Sequence, residues 1–286
     1  MSTIDPAAAR RERLERQQGS TGAALAAAAF ALLLVATSAV IGYSFAGILD
    51  TFRLMELNSV FSTWESQMPN TTFGLPIGIV ATIAAWALYA KWNHRFTGDT
   101  SRFVGVGPLT LVLLGLAIGL WFGCSAWTAP DQPGMQIDPT FGEDEAWGPG
   151  AWIFYAAQWW LPALVGVLAV AAYFAGVAGR RRSAGRTALI ERMLVTGRRT
   201  PGVVTESTLP SGEASSVLFT LTVKFTDLNG TDRWVKRTVK YRTAEVPPVG
   251  APVTVLYDPA SPGDTSRIFL ASGPAETAAD FRRHEL

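Results

Sequence analysis

Tyr257 and Asp258 stand side by side where a run of β-formers ends, in "VTVLYDPASPGDTSRIFL" at residues 253–270. A phenol beside a carboxylate at a strand end is the pairing in this chain best suited by type to acid–base chemistry. His94 is the further group that would complete such a set, since the chain holds only His94 and His284. General acid–base catalysis needs its groups within hydrogen-bond reach of the proton they move, and nothing in the order of residues brings His94 to 257–258. Asp258 and Asp264 offer two carboxylates, yet a calcium loop supplies oxygen ligands at closer spacing. One cysteine, Cys124, builds neither a disulfide framework nor a cysteine-rich metal site. The sequence has no nucleophile elbow, no phosphate-cradling glycine loop with its lysine, and no HExxH. It therefore calls for no catalytic residue, no metal and no cofactor.

The 253–270 stretch reads instead as a corner. Asp258 suits the first position of a turn with Pro259 second, and Pro262-Gly263 suits the centre of a type II turn. Alternation places Val253, Val255 and Tyr257 on one face, which should help fill a core. A Tyr257 exposed in a cleft beside Asp258 would reverse this reading.

The elements around that corner divide the chain in two. Hydrophobic residues make up 49% of the 286 and charged residues only 16%, against roughly 25% charged in an average soluble domain. The net charge of +1 gives no electrostatic case for a nucleic-acid partner. A bilayer-crossing helix needs about 20 mostly apolar residues. Four stretches meet this, at 21–49, 73–90, 103–127 and 152–178, and none has an Asp, Glu, Lys, Arg or His in its interior. The first is too long for a signal peptide and reads as an uncleaved anchor. Spans without charges give little support to a proton relay or a charge-coupled transporter.

Lys and Arg flanking a span stay on the cytoplasmic side. Arg10, Arg11, Arg13 and Arg16 precede the first span; Lys91, Arg95 and Arg102 lie between the second and third; Arg180, Arg181, Arg182 and Arg186 follow the fourth. The loop 128–150 carries Asp131, Asp138, Glu143, Asp144 and Glu145 with no Lys or Arg, and the loop 50–72 carries Asp50, Glu56 and Glu65 against Arg53. Both termini are expected to be cytoplasmic, with two loops outside and the lipid bilayer as the first partner. Trp127, Trp147, Trp152, Trp159 and Trp160 near the outer ends suit an interfacial aromatic belt. In 48–64, Leu49, Phe52, Leu57, Val60, Phe61 and Trp64 suit one helical face, either as an interfacial helix or as an extension of the first span. Gln158 suits helix–helix bonding, and Pro162 a kink.

On the cytoplasmic side, residues 1–20 should form a charged helix opening at Asp5-Pro6. Residues 180–196 read as a basic juxtamembrane helix whose arginines 180, 181, 182 and 186 serve either as ordinary topogenic charge or as contacts for anionic lipid. It has Leu189, Ile190, Met193 and Leu194 on one face and ends at Gly197. From 197 to 272 the periodicity changes. Strands are expected at Val203–Val204, Val217–Phe225, Trp234–Tyr241, Val253–Tyr257 and Ile268–Leu270, before a tail at 273–286. The fold class expected is therefore α+β, a four-helix transmembrane bundle (21–179) followed by a small antiparallel β-barrel or sandwich of OB- or SH3-like type.

Burial fixes the register of one hairpin. A two-residue turn at Asn229-Gly230 would oppose Val223 to Lys236, an apolar face to a charged one. A three-residue loop, Leu228-Asn229-Gly230, opposes Val223 to Val235, Phe219 to Val239 and Val217 to Tyr241. The expectation is a type I turn from Asp227 with Gly230 left-handed. Lys224, Lys236 and Lys240 then form a basic strip on the solvent face, suited to an acidic partner or lipid.

"TGRRTPGVV" at 196–204, the paired strands around "FTLTVKFTDLNG", "PPVGAPVTVLYDPASP" at 247–262 and the following "RIFL" resemble the bacterial family known as domain of unknown function 3592. Its most specific part is Gly-x-x-Val-x-Val-x-Tyr-Asp-Pro-x-x-Pro. The resemblance covers about a quarter of the chain and implies a small β-domain attached to bacterial membrane spans; it implies no activity and no site residues. The functional expectation is a non-enzymatic inner-membrane protein whose β-domain binds a protein partner or regulates an assembly, the partner expected being another protein or, in a homo-oligomer, a second copy. A small transporter or channel subunit of oligomerised helices is the alternative.

Overall fold

The computed structural model describes residues 18–59, 62, 64–68, 71–98, 103, 105–208, 216–242, 246–273 and 275–282. The expected N-terminal helix up to residue 17, with its arginines, lies outside them, as do Val60, Phe61 and Arg102. The fold is α+β. Four helices long and apolar enough to cross a membrane precede a curled antiparallel sheet, and the chain divides into two compact units between Ala178 and Gly179.

The helices are α1 (Thr21–Leu57), α2 (Thr71–Thr97), α3 (Pro108–Ser125) and α4 (Pro149–Thr196). Ser20 caps α1 by accepting the Ala23 N–H at 3.3 Å. Pro108 opens α3 at a position where its missing N–H costs nothing. Residues 48–57 continue the first apolar helix, which matches the second of the two forms expected. α4 continues through Pro162 and the arginines to Thr196, so the expected connector at 180–196 is the end of the fourth helix. Its sequence, "RRRSAGRTALIERMLVT", is mostly good helix formers and gives the chain no reason to stop. The stop comes at Gly197, whose N–H bonds to the Met193 carbonyl at 2.7 Å.

α1 is the hub of the first unit, with α2 and α3 packed along it and hardly touching each other. Glycines make this approach possible. Gly115, Gly119 and Gly123 recur along one face of α3, and an added Cβ would strike the main-chain oxygens of Val35 and Ala39 and the Cβ of Ala46. Gly74 and Gly78 of α2 lie equally close to Ser44 and Ile41. Small residues serve helix pairs this way where van der Waals packing must hold them together. α4 joins at its beginning, through Ala151 and Tyr155 against Leu57 and through Leu161 and Val165 against Leu120 and Cys124.

In the second unit, β3 (Arg198–Thr208), β4 (Ser216–Thr226), β5 (Asp232–Arg242), β6 (Pro252–Tyr257) and β7 (Phe269–Ser272) form one antiparallel sheet in the order β5-β4-β3-β6-β7. (β1, Met135–Gln136, and β2, Glu145–Ala146, are a small separate hairpin in the first unit.) β3 is far longer than the Val203–Val204 strand expected, because it serves two partners. Its first half pairs with β6 and its second with β4. The change of partner occurs at Gly202, where a Cβ would come within 2.7 Å of Val255 and 2.9 Å of Val223, and at a bulge that leaves Thr205 unpaired. A bulge bends its strand and raises the local twist, and here the sheet curls into a half-barrel.

The concave face holds the core, including Val204, Phe219, Val223, Phe225, Val255 and Tyr257. Behind β6 and β7 a second cluster forms, in which Ile190 and Met193 of α4 and Phe281 of the short helix α5 (Ala278–Arg282) cover Leu256, Phe269 and Ala271. The apolar face expected on 189–194 is buried there.

Candidate functional site

Two polar constellations stand out, one in each unit. In the first, Asp50 and Arg53 lie one turn apart on α1 and are 0% and 3% exposed. Arg53 Nη1 donates to Asp50 Oδ1 and to the Thr128 carbonyl, both at 2.9 Å. Asp50 Oδ2 accepts the Ser66 hydroxyl at 2.8 Å and the Thr128 N–H at 3.0 Å. The guanidinium lies over Trp127, 5.0 Å from its centroid, and 6.0 Å from that of Tyr155. Both charges thus bind segments that come from between helices. Trp127 Nε1 donates to the Ala46 carbonyl at 2.8 Å and Trp147 Nε1 to that of Leu57 at 2.9 Å, so these two indoles fasten the same end of α1. Trp152, Trp159 and Trp160 are exposed as a belt requires, whereas Trp147 is buried. The acidic loop is folded on itself, with Asp138 Oδ1 accepting from Thr140 and Phe141 and Asp144 Oδ1 from Asp138. This constellation is a clasp: its bonds join α1 to the segments at Ser66 and Thr128.

The corner at 257–267 is likewise structural. Tyr257 is 1% exposed, its ring 5.3 Å from that of Phe225. His94 belongs to the last turn of α2 in the other unit. The Ser261 N–H donates to the Asp258 carbonyl at 3.0 Å, closing a turn with Pro259 second. Asp258 also pairs with Arg267 at 2.7 Å, and that hydrogen bond holds its carboxyl below the usual range. A second turn closes from Asp264 N–H to the Ser261 carbonyl at 3.0 Å around Pro262-Gly263. It is not the type II turn expected, because Gly263 stays out of the left-handed region that type demands. The chain instead runs on into a 3-10 turn at Thr265–Arg267, capped by Asp264. The final strand consequently starts at Phe269, one residue later than expected.

The β4–β5 hairpin has the expected register: Val217 opposes Tyr241, Phe219 opposes Val239 and Val223 opposes Val235. Gly230 donates to the Asp227 carbonyl at 3.1 Å with φ +75°. Asp227 Oδ1 accepts the N–H groups of Asn229 and Thr231. Those bonds, with Arg233 on Oδ2 at 3.1 Å, lower its pKa, the Thr231 bond most. Of the basic strip, Lys236 is exposed. Lys224 is paired with Asp232 at 2.6 Å and lies 5.4 Å from the Trp234 centroid. The side chain of Lys240 lies outside what is described.

Arg237 was overlooked by the reading of charges, although the alternation Val235-x-Arg237-x-Val239-x-Tyr241 marks it as inward. Its Nη2 donates to the carbonyl of Ile268 at 3.0 Å and to that of Thr265. Tyr241 reaches Ser272 at 2.6 Å. These side chains span the mouth of the half-barrel. Outside it, β3, β4 and β5 present Val203, Leu218 and Trp234 to solvent. Arg181 and Arg182 are exposed on α4, with Arg180 and Arg186 half-buried. No protein-family model, curated protein or solved structure matches the chain.

Proposed function

We propose that this is a multi-pass, non-enzymatic protein of a bacterial inner membrane, with both termini cytoplasmic, whose SH3- or OB-like half-barrel docks a protein partner or regulates an assembly. The observation that carries the docking reading is the asymmetry of the sheet's outer surface. The back of β6–β7 is covered by α4 and α5, while that of β3–β4–β5 leaves Val203, Leu218 and Trp234 exposed. Val203 and Trp234 lie in one cross-strand row on either side of Lys224, with Leu218 further along the same face, and an uncovered sheet face carrying apolar side chains suits docking.

The membrane reading is supported by four apolar helices, packed through glycines as a transmembrane bundle would be. Orientation is supported by the acidic, Lys- and Arg-free loop 128–150 and by Arg180, Arg181, Arg182 and Arg186 after the fourth span. In this reading those arginines meet anionic headgroups. The resemblance to domain of unknown function 3592 supports the pairing of spans with a β-domain and adds no activity.

The test is retrieval of partners by the full chain and by a chain lacking 197–272, from crosslinked native membranes. Partners lost with the deletion support docking; identical partners from both remove the domain from that role. Reporter fusions at 140 and at the C-terminus test orientation, and an extracytoplasmic C-terminus would overturn it.

A further inference from the structure

β5 ends the sheet, and all eleven of its residues pair with β4 without a shift of register. The Asp227 N–H donates to the Thr231 carbonyl at 2.9 Å. Hydrogen-bonded positions alternate along an antiparallel ladder, so residues 233, 235, 237, 239 and 241 bond to β4. The main-chain groups of Trp234, Lys236, Thr238 and Lys240 therefore face away from it, at the edge. Among the described residues no strand covers that edge; Arg237 reaches the Ile268 carbonyl just before β7, and Tyr241 reaches Ser272 of β7.

Proteins blunt such edges with short strands, bulges, prolines or charge. β5 has no bulge and no proline, so among the described residues charge is what guards it. Its sequence, "DRWVKRTVKYR", sets five cations against Asp232, and Asp232 is engaged by Lys224. That charge also selects. Antiparallel pairing of β5 with a second copy opposes Lys236 to itself, Arg237 to itself or Lys236 to Lys240 in the three central registers, and like charges directly opposite destabilise a sheet. A strand with carboxylates at alternate positions reverses each of these terms. Trp234, 58% exposed, offers an apolar platform at one end.

Resting on the docking reading above, we propose that the β5 edge takes up an extended acidic segment of a partner protein as an added strand. The segment would bond its main chain to residues 234–240 and set a carboxylate against the exposed Lys236.

The experiment titrates a fluorescent peptide of alternating Glu and Val against the full chain in detergent micelles, reading anisotropy. Saturable binding is expected, weakened about tenfold or more, the scale of one or two lost hydrogen bonds, when Lys replaces Glu or alternate peptide nitrogens are methylated. Thr238→Pro should weaken it equally, because the N–H it removes faces the edge and is not used by β4; Thr238→Val should bind as the parent does and controls for folding. Lys236→Glu should shift preference to the Lys peptide. No binding, equal binding of acidic and basic peptides, or full affinity in Thr238→Pro would each overturn the proposal. Partners still retrieved by Thr238→Pro but lost on deleting 197–272 would leave the docking reading standing and remove the edge from it.

Discussion

Arg237 Nη2 donates to the main-chain carbonyl of Ile268 at 3.0 Å, tying β5 to the approach of β7 across a gap that no strand pairing closes among the described residues. The same nitrogen reaches the carbonyl of Thr265, so one guanidinium holds the 3-10 turn against the mouth of the half-barrel. Arg237→Met keeps an unbranched apolar stem and removes both bonds. Buried hydrogen bonds to charged groups contribute about 1.5–3 kcal/mol each, but these two are exposed and part-buried, so water replaces much of them and a total loss of about 2 kcal/mol is expected. Amide exchange should accelerate at 268–271 and stay unchanged where β3 meets β4. Uniform acceleration would mean that Arg237 acts on the whole domain rather than on its mouth.

The hairpin loop depends on Gly230, whose φ of +75° is open to few other residues. Gly230→Val should cost about 1–2 kcal/mol, the penalty of a left-handed conformation for a side chain with a Cβ. Gly263→Val, at a turn glycine outside that region, should cost far less. Thermal unfolding of the two variants side by side checks the difference.

The hairpin register was legible because a slip of one residue would have put Lys236 opposite Val223, and burial forbids that. The four apolar helices were legible because length and composition suffice to mark them. The ends of α4 and β3 were not, since each depends on a tertiary partner: α4 continues to where Met193 meets the sheet, and β3 lengthens to serve both β4 and β6. The Asp50–Arg53 clasp was hidden for a related reason. Two charges beyond the end of an apolar run look like ordinary loop residues until Ser66 and Thr128, distant in sequence, supply their partners. Arg237 differed, because a cation at an inward position of an alternating strand is a signal present in the sequence.

Acid should weaken the β-domain over a definable window. Asp227, Asp258 and Asp264 are all held below the usual carboxylate pKa of about 4, mainly by the Thr231 N–H, by Arg267 and by Ser266 respectively. A depressed folded pKa means that the stabilisation is complete above the unfolded value and is lost as pH falls through the folded one. Stability should therefore be flat from neutral pH to about 5 and decline below about 4. Asp258→Asn should lower stability at neutral pH and make the acid decline shallower. Amide exchange in β4 and β5 of the full chain, followed against pH, reads both.

Packing of α3 on α1 should fail at one glycine and tolerate change at another. A Cβ at Gly119 would collide with the Ala39 carbonyl oxygen, while at Gly166 of α4 nothing lies within 4 Å. Gly119→Ala must push two helices apart and is expected to cost about 1–3 kcal/mol, the usual range for overpacking. Gly166→Ala should be neutral or slightly stabilising, because Ala is the better helix former. Thermal aggregation in detergent ranks the two, and equal loss would show that the glycine face does not set the helix spacing.

The Asp50–Arg53 pair predicts a non-additive cycle. Removing one member of a buried ion pair strands the other, at about 3–5 kcal/mol. Asp50→Asn keeps an oxygen acceptor for Ser66 and Thr128 but leaves the Arg53 guanidinium, buried between Trp127 and Tyr155, without its counter-ion. Arg53→Met leaves Asp50 with the Ser66 and Thr128 donors alone. The double variant strands no charge and should lose less than the two single losses combined, by 1 kcal/mol or more on the usual scale for residues in contact. Unfolding of all four proteins in mixed micelles measures the coupling. Additive losses would show that Asp50 and Arg53 hold their loops independently, and that the 2.9 Å contact between them is incidental to the clasp.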